Sequence, residues 1–365
     1  MHFAFSVVFF GFLTLFGRCA ADNHKEHLAR KLHATIPDWI NEQINEDFAP
    51  FRNASISRSE LQNYYETHST DLFLVKFTIR NNKIHTECKV KNSGIEYRSE
   101  AFEKALRDIA EVAPLPDAVF LISMHDAFGI AAKVPIFGMC KRYPDKATIL
   151  IPDFDALRAK FQVLKRKDLT RYAPSWERKR NQLIWRGSTA QGSLDGELMR
   201  PDNVHRFSRV ILCGLSQSYP HLIDAKFTFF AQGGEHIPSL QAFQAKSMPF
   251  EELMLYKYQI FIDGNVSAYS ASGWKFFTNS LIFKPESQWI QWYYGALKPY
   301  VHYIPIKEDL ADLVEKVQWA RDHDGEAKAL AKNCREFALT HLTLPDNLLY
   351  LYWAISQYSH LYFVD

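Results

Sequence analysis

Several features that would narrow the class of this protein at once are scarce or missing. Its 365 residues carry 43 Lys and Arg against 41 Asp and Glu, and a formal net charge of +2 argues against a broad electrostatic footprint for nucleic acid. Only 15 Gly and 16 Pro are present, which excludes a collagen-like repeat. The balance of 47% hydrophobic to 23% charged residues excludes intrinsic disorder. At roughly 100–200 residues per domain, the length predicts one large or two medium domains.

Cysteine is also scarce, and its spacing argues against a structural metal site. The five cysteines are Cys19, Cys88, Cys140, Cys213 and Cys334. They are widely separated, no C-x-x-C pair occurs, and the histidines show no ligand-like pairing, so we expect no metal. Because Cys19 lies in the leader described next, four cysteines remain, and one or two disulfides stay open without a defined pairing.

The chain contains a single long apolar run, at residues 3–16. A transmembrane helix needs about 20 apolar residues, and this run is shorter. Small residues follow it at Cys19, Ala20 and Ala21. This pattern predicts a secretory signal peptide over residues 1–21. An uncleaved anchor is the alternative, because no positive charge precedes the run. With no second apolar run, we expect no stable transmembrane segment in the mature chain.

Strands and helices alternate along the rest of the sequence. The predicted strands cover residues 72–80, 84–90, 118–123, 148–151, 182–188, 226–230, 258–263, 280–283 and 302–306. The predicted helices lie within 23–70 and cover 99–112, 203–216, 249–256, 308–321, 325–339 and 345–361. This alternation predicts an α/β architecture with parallel sheets, here in two lobes. The basic stretch 165–180 is the predicted linker and a solvated surface.

Polar residues follow three of the predicted strands, where ligands of open α/β sheets bind. His125 and Asp126 end the strand 118–123. A carboxylate beside a buried strand is placed to act as a general base, because burial raises its pKa towards working pH. A turn former or helix cap is an alternative of equal weight. After the strand 182–188, the loop from Gly187 offers backbone N–H groups to phosphate and Arg186 adds a cation, although an ordinary loop is the favoured interpretation.

The third strand end carries the strongest local signal. Asp263-Gly264 is followed by small polar residues, among them Ser267, Ser270 and Ser272, and by a predicted helix near residue 271. Serine hydroxyls, a helix N-terminus and Lys275 together favour an anionic ligand. Aromatic residues, at 15% of the chain, supply core and also form the stacking walls of sugar sites, which favours carbohydrate without deciding it.

The pair Asp153 and Asp155 forms a D-x-D pattern that binds divalent metal in some glycosyltransferases. Because it follows Pro152 and opens a predicted helix, a capping role is the favoured interpretation and metal ligation the alternative.

Longer segments resemble glycosyltransferase family 90. They are YKYQIFIDG (256–264), SLIFK (280–284), the block 296–324 and AKNCREFA (331–338), with WRGS and PHLIDAKFT (220–228) as further anchors. The resemblance covers roughly residues 85–360 and is strongest after residue 255. The family includes protein O-glucosyltransferases, capsule xylosyltransferases and lipopolysaccharide-modifying enzymes.

The resemblance implies a GT-B-like fold, with two Rossmann-like lobes and the donor in the cleft between them. We expect an acceptor-side lobe over residues 22–175, with residues 340–365 packing back on it, and a nucleotide-sugar lobe over residues 176–339. The implied reaction inverts the anomeric centre without metal or other cofactor. The UDP-sugar is then a substrate.

The resemblance also assigns roles to individual residues. It implies that Asp126 is the catalytic base. The donor-binding residues it implies, together with those of the loops above, are Arg186, Ser188, Arg209, Gly264, Asn265, Val266, Ser267, Ala268, Tyr269, Ser270 and Lys275. The residues implied on the acceptor and sugar side are Asp153, Phe154 and Asp155. Family members usually carry an arginine near the position of Ser270 or Ala271, and here Lys275 is the nearest substitute.

The expected function is transfer of glucose or xylose from a UDP-sugar to a hydroxyl of a protein serine or a surface glycan such as lipopolysaccharide. The expected location is the lumen of the endoplasmic reticulum or Golgi, or the cell envelope or a membrane anchor in a bacterium. The alternative is a glycan- or glycoprotein-binding relative that kept the fold and lost turnover. A metal-dependent transferase that uses Asp153 and Asp155 is the second alternative.

Overall fold

The computed structural model describes residues 25–54, 56–126, 134–158, 173–192, 197–269, 273–361 and 363–364. The predicted signal peptide, Ser270 and residues 165–172 of the predicted linker therefore lie outside the described residues. Within the described ranges, no helix is both long enough and apolar enough to cross a membrane.

The elements follow the predicted alternation. The strands are β1 (Ile56–Ser57), β2 (Leu74–Arg80), β3 (Lys83–Cys88), β4 (Ala118–Ser123), β5 (Ile136–Gly138), β6 (Lys141–Arg142), β7 (Thr148–Leu150), β8 (Arg180–Ser188), β9 (Ile223–Phe229), β10 (Tyr256–Ile260), β11 (Leu281–Pro285), β12 (Trp289–Ile290), β13 (Ile304–Ile306) and β14 (Phe363–Val364). The α-helices are α1 (Asp38–Phe48), α2 (Arg58–His68), α3 (Ser93–Ala110), α4 (Phe154–Leu157), α5 (Ser208–Ser218), α6 (Phe250–Leu253), α7 (Leu313–Asp322), α8 (Asp324–His341) and α9 (Leu344–Ser359), and residues 25–32 are also helical. Short 3-10 helices cover Ala49–Phe51, Trp176–Arg178, Val204–Arg206, Gly234–His236, Pro238–Phe243, Trp274–Phe277 and Tyr294–Ala296.

The second lobe is built on a fully parallel sheet in the order β13-β11-β10-β8-β9. Every residue of β10 is buried, which fits its continuous run of large side chains. Leu212 of α5 and Val317 of α7 belong to the same buried core as Leu183 of β8. Because all strands run the same way, the loops after β8 and β10 emerge at one edge of the sheet.

The first lobe is built on a mixed sheet in the order β3-β2-β4-β5-β7. The parallel arrangement holds for β4, β5 and β7, whereas β2 runs antiparallel to both β3 and β4. The β2–β3 hairpin turns through Asn81 and Asn82, whose φ angles of 48° and 62° suit a tight hairpin turn. The α/β architecture of two lobes is confirmed.

The helices predicted at 203–216 and 308–321 begin later, at Ser208 and Leu313, and three further predictions are wrong for identifiable local reasons. Helix α3 begins at Ser93, six residues before the predicted start, because the Asn92 side chain accepts hydrogen bonds from the N–H groups of Gly94 and Ile95. The predicted helix 249–256 is reduced to α6, since β10 already begins at Tyr256. The helix predicted near residue 271 is, in its described part, the four-residue 3-10 helix Trp274–Phe277, so it supplies no helix dipole for an anion.

The second half of the predicted linker is only partly a solvated surface. Trp176 is 1% exposed and Lys179 is 5% exposed. The Lys179 ammonium donates hydrogen bonds to the Thr278 carbonyl and the Ser280 hydroxyl, both at 2.7 Å. These acceptors satisfy the buried charge and tie the segment that leads into β8 to the second lobe.

The apolar core of the first lobe extends into the second lobe, beside the second lobe's own core. Phe120 of β4 and Tyr358 of α9 belong to the same buried cluster as Phe276 and Trp292, which follow β10 and β11. Strands β6 and β12 add an antiparallel pair across the same boundary. The four cysteines of the described chain, Cys88, Cys140, Cys213 and Cys334, are unpaired.

Candidate active site

Asp126 lies at the carboxyl end of β4, three residues beyond Ser123, the last residue of the strand. Its Oδ1 accepts a hydrogen bond from Nη2 of Arg98 on α3 at 2.6 Å. The same guanidinium also donates a hydrogen bond to the Met124 carbonyl, so Arg98 binds both the backbone at Met124 and the carboxylate of Asp126. The Asp126 side chain remains 34% exposed. It is therefore a fixed carboxylate that a ligand can reach.

The loop after β10, residues 263–269, is organised around a second aspartate. Asp263 Oδ1 accepts a hydrogen bond from the Ala268 N–H at 3.0 Å, and Oδ2 accepts one from the Ser287 hydroxyl at 2.5 Å. Burial raises the pKa of Asp263, while the Ser287 hydroxyl and nearby Lys284 oppose that rise. The carboxylate thus holds the shape of this β10 loop. The sequence placed Asp263 at a strand end, but it offered no signal that the side chain turns inward.

Arg209 joins the β10 loop to the loop after β8. Its Nε donates to the Asp263 carbonyl at 2.8 Å, and its Nη1 donates to the carbonyls of Ser188 and Ala190 at 3.0 and 2.7 Å. Burial lowers the pKa of Arg209 to about 10, which still leaves the guanidinium charged at neutral pH. A Cβ at Gly264 would lie 2.8 Å from Nη2 of Arg209, so a side chain there would displace the guanidinium. This close approach explains the glycine.

A pocket of about 340 Å³ opens beside Arg209 and is called the β8 pocket here. It is bounded by the carboxyl half of β8, residues 247–253 and the 3-10 helix Trp274–Phe277. Lys275, 6% exposed, lines it and donates to the Ile260 carbonyl at 2.7 Å. Burial lowers the pKa of Lys275 to about 7, with the Arg209 charge adding to the effect. Two cationic side chains in a concave site favour an anionic ligand.

Aromatic rings border the same pocket. Phe250 and Trp274 both line it, with ring centroids 4.9 Å apart in an edge-to-face arrangement. Gln259, which is 1% exposed, also contributes to the lining. The pocket therefore combines positive charge with apolar ring surface, which suits a ligand that has an anionic part and a flat ring.

Two predicted donor-binding side chains are committed to protein partners instead. Arg186 lines the β8 pocket, but it pairs with Asp224 at 2.8 Å and donates to the carbonyls of Trp185 and Asp224. Ser267 is buried, and its hydroxyl lies 2.7 Å from the Tyr294 hydroxyl and accepts from Gln291. In this arrangement the Ser267 hydroxyl contacts Tyr294 and Gln291, and its role as a hydroxyl donor to a ligand stays a prediction.

The remaining predicted residues of the second lobe lie either in the β8 pocket or in the β10 loop. Ser188 lines the β8 pocket and its hydroxyl accepts from the Ala190 N–H at 3.3 Å. Val266 and Ala268 are buried and have apolar side chains, so they can offer a ligand hydrogen bonds only through their backbone groups. The Oδ1 atom of Asn265 is buried and, within the described part of the chain, has no hydrogen-bond partner.

The predicted acceptor-side residues surround α4 in the first lobe. Asp153 caps the helix, because its Oδ1 accepts from the N–H groups of Asp155 and Ala156 at 3.0 and 3.1 Å. The capping role is thus confirmed. Asp155 accepts from the Tyr97 hydroxyl at 3.4 Å. Among the described residues, no group of three or more His, Cys, Asp and Glu side chains is arranged to hold a metal ion.

Tyr269 brings the two halves of the site into contact. Its hydroxyl donates a hydrogen bond to the backbone carbonyl of Asp126, and its ring meets the Phe154 ring edge-to-face at 6.4 Å. The Arg98 guanidinium also contacts Phe154, and it lies over the ring 4.7 Å from the centroid. The structure therefore places Asp126 and Phe154 of the first lobe against the β10 loop of the second. Tyr269 was predicted as a donor contact, and no local pattern in the sequence reveals its contact with Asp126.

Known proteins match most of this chain. Residues 33–365 match the model of glycosyl transferase family 90. The chain belongs to this family. It is 30% identical over 335 residues to protein O-glucosyltransferase 2 of Danio rerio, which covers 87% of this chain and 62% of the relative. It is 31% identical over 301 residues to protein O-glucosyltransferase 3 of Mus musculus, which covers 78% and 55%. The chain spans less than two thirds of the length of either relative.

Solved structures show a weaker likeness to this family 90 member. HepE of Anabaena, solved with UDP, superposes with a TM-score of 0.36 at 10% identity over 58% of each chain. A glycosyltransferase of Rickettsia africae gives a TM-score of 0.34 at 11% identity over 61% of this chain and 64% of that one. Because these TM-scores are low, the description of the fold rests on the two sheets described above and not on these structures.

Proposed function

We propose that this protein is an inverting, metal-independent glycosyltransferase that moves glucose or xylose from a UDP-sugar to a hydroxyl of an acceptor protein. The observation that carries the proposal is the contact between Asp126, a reachable carboxylate of the first lobe, and the β10 loop. That loop is tied through Arg209 to a cationic pocket of the second lobe. The β10 loop thus connects a carboxylate of the first lobe with a cationic pocket of the second.

The geometry supports a single displacement. Asp126 takes the proton of the acceptor hydroxyl, whose oxygen then forms a bond to the anomeric carbon of the sugar. The bond from that carbon to the diphosphate oxygen breaks, and UDP leaves with the electron pair. Arg209 and Lys275 offset the charge that develops on the diphosphate, and the flat base lies against Phe250 and Trp274. Attack from the side opposite the leaving group inverts the configuration.

Support for a protein acceptor comes from the relatives, which are named protein O-glucosyltransferases. Support for metal independence comes from Asp153, whose carboxylate is engaged in capping α4, and from the cations beside the β8 pocket. A protein acceptor and the predicted signal peptide agree with a site of action in the lumen of the secretory pathway.

The test is UDP release by the purified chain with a panel of UDP-sugars and acceptor proteins, with and without chelator. We expect release with UDP-glucose or UDP-xylose that depends on acceptor and is unaffected by chelator. The product of an α-linked donor should carry a β-linked sugar, as nuclear magnetic resonance would show. Retention of the α configuration would contradict the mechanism. Tight UDP binding without transfer to any acceptor would favour the non-catalytic binding relative.

A further inference from the structure

We infer that Tyr269 is a positioning residue that transmits the position of the β10 loop to Asp126, so that a donor bound against that loop helps to set the position of the carboxylate. The inference rests on the proposed function. It adds a physical link between donor binding in the second lobe and base alignment in the first.

Asp126 is held at two points. Arg98 holds the carboxylate at 2.6 Å, and the Tyr269 hydroxyl holds the backbone carbonyl. The Phe154 ring lies between the two holding groups, since it contacts both the Arg98 guanidinium and the Tyr269 ring. Arg98 and Phe154 belong to the first lobe, whereas Tyr269 belongs to the second. Movement of the β10 loop therefore changes one of these holds and leaves the other in place.

The other end of the link is the loop itself. Tyr269 directly follows Ala268, whose N–H is held by Asp263 at 3.0 Å. The carbonyl of Asp263 in turn accepts from Arg209, which lines the β8 pocket. A diphosphate that draws Arg209 towards itself acts on this carbonyl. The segment from Asp263 to Tyr269 therefore connects the anion site to the backbone of Asp126.

The chemistry of the phenol suits a permanent link. Burial raises the pKa of Tyr269 well above its ordinary value, so the hydroxyl stays protonated and keeps donating. The thiol of Cys140 is the other group at this point, with its Sγ 3.1 Å from the Tyr269 oxygen and 3.4 Å from the Asp126 carbonyl. A thiol is a weak donor, so it does not replace the phenol. Removing the hydroxyl loosens the Asp126 backbone without adding bulk or charge.

A matched variant separates this role from general support of the loop. The Tyr294 hydroxyl lies 2.7 Å from the Ser267 hydroxyl, so Tyr294→Phe also removes one hydroxyl that contacts the β10 loop. Tyr294 acts from behind the loop, through Ser267 and Gln291. Tyr294→Phe should therefore loosen the loop as a donor-binding surface, whereas Tyr269→Phe should misplace the base.

The experiment compares steady-state kinetics of the two variants and titrates each with UDP. For Tyr269→Phe we expect kcat to fall about 10- to 100-fold, the scale of a misplaced catalytic group, while donor KM and the Kd for UDP stay close to those of the parent. For Tyr294→Phe we expect the donor KM to rise several-fold, with a much smaller change in kcat. Equal losses of kcat in the two variants, or a parental kcat in Tyr269→Phe, would overturn the inference.

A second measurement decides the question without turnover. Hydrogen exchange of backbone amides at residues 122–126 should slow when UDP is added to the parent and should respond less in Tyr269→Phe. If UDP binds and leaves this exchange unchanged in the parent, the link does not exist. If the parent binds UDP and couples its exchange but transfers no sugar, the proposed function fails while the link stands. Absence of UDP binding would remove both.

Discussion

Asp126 and Asp263 occupy equivalent places in the two lobes and have opposite surroundings. Each lies three residues beyond the last residue of a buried strand, β4 ending at Ser123 and β10 at Ile260. Asp126 is 34% exposed and pairs with one arginine. Asp263 is also partly exposed, but both of its carboxylate oxygens accept hydrogen bonds from its own lobe. The same residue at the same topological position thus holds the loop in one lobe, and in the other it is the carboxylate that we propose as the base.

The largest effect should come from removing the reachable carboxylate. Asp126→Asn keeps the shape of the side chain and removes the base, so we expect kcat to fall about 10²- to 10⁴-fold, the usual contribution of a general base. Steady-state transfer assays measure the fall, and a UDP titration should show an unchanged Kd.

Asp117 supplies the control because it precedes the first residue of β4, at the opposite end of the strand. Its Oδ1 accepts from the Asn81 N–H at 2.8 Å. Asp117→Asn should therefore alter thermal stability slightly and leave transfer intact. A comparable loss of transfer in both variants would show that the effect of Asp126→Asn is structural.

The next largest effect is expected at Arg209, which donates a hydrogen bond to the backbone carbonyl of Asp263. Arg209→Met strips three backbone carbonyls of their donor, and we expect a loss of stability of about 1–3 kcal/mol together with at least tenfold weaker UDP binding. Thermal unfolding and titration calorimetry measure the two effects. Arg206, exposed and three residues earlier in the 3-10 helix that precedes α5, is the matched control. If Arg206→Met weakens UDP binding as strongly, the anion site is assigned to the wrong arginine.

A pH dependence distinguishes the cation in the β8 pocket from an ordinary buried lysine. Burial lowers the pKa of both Lys275 and Lys179 to about 7. Since Lys275 loses its proton above that pH, UDP affinity should fall about tenfold between pH 6.5 and 8.5, the worth of one charge-assisted contact. Lys275→Met should remove this dependence, and Lys179→Met should keep it. The same pH slope in the Lys275→Met variant would place the titrating group elsewhere.

The stability of the fold should follow the opposite trend for both lysines. Their folded pKa values lie below the unfolded value of 10.5, so the unfolded chain binds more protons between about pH 7 and 10.5. The free energy of unfolding therefore gains from each lysine as pH rises through that window. Either methionine variant should lose its share of this slope in denaturant titrations.

The smallest effect is expected from a single methyl group. In Gly264→Ala the added Cβ meets Nη2 of Arg209 at 2.8 Å, so the guanidinium must shift and the donor KM should rise a few-fold. Gly214→Ala in α5 places the same methyl group where no atom lies within 4 Å, and it should stabilise the helix by about 0.5–1 kcal/mol. A parental donor KM in Gly264→Ala would show that the contact with Arg209 is not needed.

Much of this arrangement can be predicted from the sequence, because it follows from local patterns. The compact apolar runs of β4, β8 and β10 mark buried strands, and the polar residues after them mark the edge where a site forms. The family resemblance adds the roles of Asp126 and Arg209, which composition and periodicity leave undecided. The capping role of Asp153 likewise follows from its place before α4.

The remainder depends on contacts between distant segments. Asp263 and Asp126 look alike in sequence, and only the positions of Ser287 and Arg98 separate their roles. Lys179 lies in a basic run that has the composition of a solvated surface, yet its ammonium finds two acceptors that follow Phe277. Tyr269 is one residue among the small side chains of a loop, and its partner lies in the other lobe. No periodicity encodes such a pairing.

The most direct test sets the two aspartates side by side in a single-turnover assay with saturating donor and a competent acceptor protein. The account predicts that Asp126→Asn binds UDP as the parent does and transfers almost no sugar. We expect Asp263→Asn to disturb the shape of the β10 loop, so that this variant needs a higher donor concentration for saturation. Once saturated with donor, it should still transfer sugar. Comparable transfer by Asp126→Asn and the parent would contradict the assignment of the base and with it the central claim.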